Sequence, residues 1–221
     1  MKSVFLFFLS LLFPFFLYAN SDCEMVRSSV QEGDLIFIAI ENELFQKVAR
    51  STLSWTSHVG VVVKKGDEWS VAESTLPVSR IVPLCRYIDK AYNNLWSVNR
   101  LADVNFTREQ LDRLNKEVNT RLNVPYHLGF DFDSKTRQYC SKFVYEIYLN
   151  AFQTEAGKIE KIRDLVEKNP DPELISFWKK WFLGNIPMER RIVTPASQWE
   201  DSKFNKVMIS KELEENLHQG M

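Results

Sequence analysis

Cys140 stands where the polar run Arg137-Gln138-Tyr139 meets an apolar stretch. Phe143, Val144, Ile147 and Tyr148 follow at helical spacing, so the thiol falls at the first turn of a helix with one buried face. The unpaired N–H groups and positive dipole end of such a turn favour thiolate over thiol, and a thiolate is a nucleophile. In an inert setting the same residue packs as a small apolar side chain. Nucleophilic chemistry needs a proton-handling partner and a third group that orients the partner. The chain offers three histidines. His218 lies in a polar C-terminal run, His127 in an aromatic loop shortly before Cys140, and His58 opens an apolar strand.

Hairpin geometry favours His58. His58-Val59-Gly60-Val61-Val62-Val63 and Trp69-Ser70-Val71-Ala72-Glu73 flank a charged Gly-containing turn and read as paired antiparallel strands. A two-residue turn at Lys65-Gly66 sets His58 directly opposite Glu73. A turn at Gly66-Asp67 moves Glu73 to a diagonal position on the same face. Both bring imidazole and carboxylate within cross-strand reach, whereas a three-residue turn separates them. Glu73 ends a run with no other charge, an odd place for an acid without a partner.

The elements that must position these residues are legible in outline. The apolar run 35–40 after Gly33-Asp34 reads as a buried strand, and 41–53 carries a short helix. Pro77 and Pro83 mark a loop or edge segment. The alternating run 95–101 is a further strand. Thr107-Arg108-Glu109-Gln110 is a capping box opening a helix through Leu111, Leu114 and Val118. A loop over 123–138 leads into the Cys140 helix. Helices are expected over 155–168 and 173–182, with Asn169-Pro170-Asp171-Pro172 between them, and a last ordered stretch starts at Arg191.

The chain has 221 residues with 28 basic and 29 acidic side chains. That is one ordinary domain, and the balance offers no basic arm for nucleic acid. Residues 1–19 read as a secretory signal, with Lys2, an apolar run over 4–17 shorter than a bilayer needs, and Ala19 at the cut. The alternative is an uncleaved N-terminal anchor. The domain is then 20–210, followed by a solvated tail over 211–221. The mature protein is expected to be exported and periplasmic. Cys23, Cys85 and Cys140 make an odd count, so two can pair while one stays free. No cysteine or histidine spacing suits a metal.

Several motifs come in one order: Gly33-Asp34-Leu35-Ile36-Phe37, Ser57-His58-Val59-Gly60, Val71-Ala72-Glu73-Ser74, Pro125-Tyr126, Tyr139-Cys140-Ser141 and Thr194-Pro195. The series resembles the YiiX/YebB-like cysteine hydrolases, a permuted papain-like branch of the NlpC superfamily, from about residue 30 to residue 206. The resemblance implies an α+β fold, circularly permuted and papain-like, with an antiparallel sheet packed against helices. It implies Cys140 as nucleophile, His58 as its partner and Glu73 as the third member, working by acyl transfer without cofactor or metal. Tyr126 and Tyr139 are candidate substrate-binding phenols beside the thiol. His127 and Lys142 depart from the residues the family often has at those positions, and Lys142 would add positive charge near the thiol. Murein peptide and a lipid amide or ester are the substrates implied, with peripheral membrane contact in the second case. A non-catalytic binding module keeping the fold is the alternative.

Overall fold

A computed structural model of the chain describes residues 21–220, so the expected signal segment lies outside the described residues. Helices α1 (Ser21–Ser29), α2 (Glu43–Ser51), α3 (Leu84–Ile88), α4 (Arg108–Thr120), α5 (Cys140–Phe152), α6 (Ile162–Lys168), α7 (Pro172–Trp181), α8 (Pro195–Trp199) and α9 (Lys211–His218) alternate with strands. The strands are β1 (Leu35–Ile38), β2 (His58–Lys65), β3 (Glu68–Glu73), β4 (Arg80–Pro83), β5 (Trp96–Leu101), β6 (Ile159–Lys161), β7 (Arg191–Val193) and β8 (Phe204–Ile209). Six of them form an antiparallel sheet in the order β4-β3-β2-β1-β5-β8, and β6 pairs with β7 separately.

All of β1 is buried because both faces of the sheet are covered. Leu35 and Phe37 join Val59, Val61 and the α5 residues Phe143, Val144 and Ile147 in one core. Ile36 and Ile38 join Val62, Val71 and Trp96 with α1 and α3 in another, through Val26, Leu84, Tyr87 and Ile88. The period-2 alternation of a strand divides its side chains between the two layers. A third cluster, built from α2, α6, α7 and the 126–139 loop, stands beside the sheet.

The β2–β3 turn falls at Gly66-Asp67, since Lys65 pairs with Glu68 and Val61 with Ala72. Carrying that register one step sets Gly60 opposite Glu73, diagonal to His58 on the same face. A Cβ at Gly60 would stand 2.4 Å from Val71 Cγ1 and 3.2 Å from Tyr87 Cε2, so the tight fit of α3 on the hairpin requires glycine there.

Two expectations change. The helix read over 155–168 starts only at Ile162; before it, Ile159 pairs with Val193 and Glu160 with Ile192. Gly157 causes the break, with φ +86 and its Cα packed so that a Cβ would lie 2.6 Å from Gln198 Cγ. The chain after 210 is not a solvated tail: Ser210 caps α9 by accepting from Leu213 N–H, and Leu213 is buried. Helix α1 and strand β8 carry polar, weakly patterned sequences and escape a periodicity reading. Cys23 and Cys85 form a disulfide with Cα atoms 5.1 Å apart, and Cys140 is free and buried.

Candidate active site

Tyr139 is the extended N-cap residue of α5, and Cys140 is its first helical residue. The sulfur lies 4.0 Å from the Ser57 carbonyl oxygen and 4.0 Å from the Tyr126 hydroxyl. His58, the first residue of β2, reaches the same point from the sheet. Its Nε2 bonds Glu73 Oε2 at 2.8 Å. Its Nδ1 is buried with no ordinary hydrogen-bond partner, and the group it interacts with is the Cys140 thiol. Sequence thus placed Cys140, His58 and Glu73 on three elements, and the structure brings all three to one point, each buried.

The imidazole is boxed in. Tyr87 stacks on it at 5.9 Å and Phe45 meets it edge-on at 6.1 Å. The Thr56 hydroxyl donates to the Ile38 and His58 carbonyls and fixes the strand entry. Such packing holds a ring in one orientation.

Glu73 carries more cations than sequence revealed. Lys90 Nζ donates to Oε2 at 2.7 Å and to Oε1 at 2.9 Å, and Arg80 Nε donates to Oε1 at 3.1 Å. Arg80 is delivered by the β3–β4 register, which pairs it with Glu73. Lys90 follows α3 and lies over the Tyr87 ring at 4.5 Å. Neither residue belongs to a recognisable motif. The hint available was the buried, otherwise unpartnered acid at position 73.

These contacts set the charges. Burial pushes the Glu73 carboxyl up, but His58 and Lys90 outweigh it and hold the group at about 2. Burial pushes the His58 imidazolium down, but hydrogen bonds and charge from Cys140 and Glu73 raise it to about 9. Burial raises the Cys140 thiol, and His58, the Tyr126 hydroxyl and the Val59 backbone N–H reverse this, leaving it below the ordinary thiol value. These shifts favour a thiolate–imidazolium pair beside an ionised Glu73 carboxylate.

Tyr126 and Tyr139 separate in role. The Tyr126 hydroxyl and the Cys140 backbone N–H converge beside the sulfur. The Tyr139 hydroxyl accepts from Val193 N–H at 3.1 Å and so ties α5 to β7, while its ring lines the cleft. Lys142 does not act on the thiol. It is buried, donates to the carbonyls of Ser134 and Arg137, and holds the 123–138 loop. His127 is also spent on that loop, with Nδ1 accepting from Gly129 N–H at 3.0 Å. His218 is exposed on α9.

A narrow cleft of about 750 Å³, counting its open side, leads to Cys140 between α2, α6 and α7. Helix α7 is set by Asp171, whose carboxylate accepts from Glu173 and Leu174 N–H, and by Pro172 at its first turn.

Residues 29–208 match a family described as permuted papain-like amidase enzymes, YaeF/YiiX, C92 family. The uncharacterised protein YiiX of Escherichia coli K12 is 27% identical over 177 residues, covering 80% of this chain and 85% of that protein. The crystal structure of yiiX from Escherichia coli O157:H7, described there as a metalloprotein, superposes with a TM-score of 0.75 at 26% identity. That match covers 81% of this chain and 97% of the other. The permuted papain-like fold expected from the motif order is the one present.

Proposed function

Because the chain belongs to the permuted papain-like amidase family of YaeF and YiiX, we propose that it is a thiol hydrolase that cleaves an amide or ester through an acyl-enzyme on Cys140. The observation that carries this reading is the buried chain of contacts from the Cys140 thiol through His58 to Glu73, with Nε2 and the carboxylate 2.8 Å apart.

The Cys140 sulfur attacks the substrate carbonyl carbon. The carbonyl oxygen gains negative charge and is met by the Cys140 N–H and the Tyr126 hydroxyl. His58 gives its Nδ1 proton to the leaving amine or alcohol, and the carbon–nitrogen or carbon–oxygen bond breaks. Water then attacks the thioester, with His58 taking a proton from it, and releases the acid and the thiolate. Glu73 keeps Nε2 protonated and offsets the imidazolium charge throughout.

The solved relative is described as a metalloprotein. Among the described residues of this chain, the cluster with three converging donor atoms is Cys23, Glu24 and Cys85. Its two sulfurs are bonded to each other and have no thiolate to offer, so that set does not fit a metal.

We further propose that the protein is exported to an oxidising compartment, a reading supported by the Cys23–Cys85 bridge. Among the described residues no helix is long and apolar enough to cross a membrane. N-terminal sequencing of the exported protein should start near Asn20; a start at Met1 would replace cleavage with an anchor.

The test of the hydrolase reading is labelling with iodoacetamide at neutral pH. Cys140 should react well ahead of a reference thiol, and His58→Ala should remove the advantage. Equal rates for the two would leave a fold without a working thiol.

A further inference from the structure

We infer that Lys142, two residues beyond the nucleophile, is a positioning residue for Tyr126: it fastens the loop that holds the Tyr126 hydroxyl beside the Cys140 sulfur. This rests on the thiol-hydrolase reading and adds to it a residue that acts on the site only through the loop.

Lys142 is an unusual side chain for its place. It is 2% exposed on α5. Glu146, one turn on, stands 3.8 Å from its ammonium, and Asp131, Asp133 and Lys135 face it from the loop. Burying an ammonium costs free energy unless its protons are received, and here backbone carbonyls receive them. Nζ donates to the Ser134 carbonyl and, at 3.5 Å, to the Arg137 carbonyl. An apolar side chain of similar length would pack in the same space without that cost. What the lysine adds is direction, because its protons fix where the two carbonyls sit.

From Arg137 the tie runs on to Tyr126. Arg137 Nη1 donates to the Tyr126 carbonyl at 3.4 Å. Gln138, the next residue, donates its N–H to the Pro125 carbonyl at 3.2 Å and accepts from His127 N–H at 2.7 Å, so it brackets Tyr126 on both sides. Tyr126 N–H donates to the Pro77 carbonyl at 3.0 Å, and the Tyr126 ring meets Phe45 edge-on at 6.3 Å. With backbone and ring so held, the hydroxyl stands 4.0 Å from the sulfur. Cys140 and Lys142 share the first turn of α5, so the loop is fastened to the same turn that carries the thiol. A donor fixed in advance needs no reorganisation when charge develops on the substrate oxygen.

The experiment measures the rate of Cys140 alkylation by iodoacetamide against pH. Sulfur displaces iodide, and intact-mass analysis reads the product. A phenol that donates to sulfur favours the thiolate, so the midpoint of the profile reports where the Tyr126 hydroxyl stands. Tyr126→Phe should raise the midpoint by about one pH unit, the worth of a hydrogen bond to a charged group. Lys142→Met should raise it in the unmodified background and leave it unmoved in the Tyr126→Phe protein, with near-ultraviolet circular dichroism confirming that each variant folds. A lysine that merely supports the fold would move neither. Equal rises in both backgrounds would mean that the ammonium acts on the thiol through space. No rise in either, or none with Tyr126→Phe alone, would mean that the lysine does not place a donor at the sulfur. Each of these results overturns the proposal. Should Lys142→Met fail to fold, Arg137→Ala, at an exposed position of the loop, goes through the same comparison with the same outcomes. Failure of iodoacetamide to single out Cys140 in the unmodified protein would instead remove the hydrolase reading, whereas a selectively labelled thiol whose midpoint ignores Lys142 would remove this proposal alone.

Discussion

At the scale of single residues, the site is an ion cluster in which each member can be tuned separately. Cys140→Ala should reduce turnover to background and leave the fold unchanged. Glu73→Gln removes the charge that helps hold His58 at about 9, so turnover should fall at least tenfold and the alkaline limb of the pH–rate profile should move down. Lys90→Met has the opposite sign on that limb. Its ammonium and the imidazolium share Glu73 Oε2, at 2.7 and 2.8 Å, so removing it favours the imidazolium and moves the limb up. A purely structural lysine would leave the limb in place. Stability follows from the same shifts. The His58 contribution is full below 6.5 and lost as pH rises through about 9. The Glu73 contribution is full above 4.5 and lost as pH falls through about 2. Thermal melts should therefore show a plateau between those two ordinary values, with a fall on the alkaline side that Cys140→Ala softens.

At the scale of elements, what sequence revealed depended on range. The α5 start at Cys140 and the hairpin between His58 and Glu73 rest on local periodicity and turn chemistry, and both were readable. The capping box at Thr107 was readable for the same reason. Lys90, Arg80 and Tyr87 were not, because their roles come from strand register and from the seating of α3 on the sheet. Strand β6 was misread because three residues set their state by pairing with β7, 30 to 34 positions on. The closest seating is at Gly60. Gly60→Ala should destabilise the protein by about 1–3 kcal/mol in denaturant titrations, since Val71 and Tyr87 must move to admit the methyl. Because Tyr87 stacks on His58, the same variant should lose activity under conditions where it is still fully folded.

At the scale of the whole molecule, one sheet with both faces covered brings together residues 82 positions apart, as 140 less 58 shows. The Cys23–Cys85 bridge clamps α1 to the start of α3 across a sequence separation of 62. Replacing both cysteines with alanine should cost about 2–5 kcal/mol in denaturant titrations. The bridge and the permuted order also bear on how the chain comes into being. A chain threaded through a pore from its N-terminus presents Cys23 first, Cys85 second and Cys140 last. An oxidant that joins thiols in order of arrival makes the native bond before the nucleophile has emerged. In the unpermuted order the reactive thiol would come out ahead of its base and acid. If this chain is exported in that way, the thiol emerges last, when no unpaired cysteine is left to trap it.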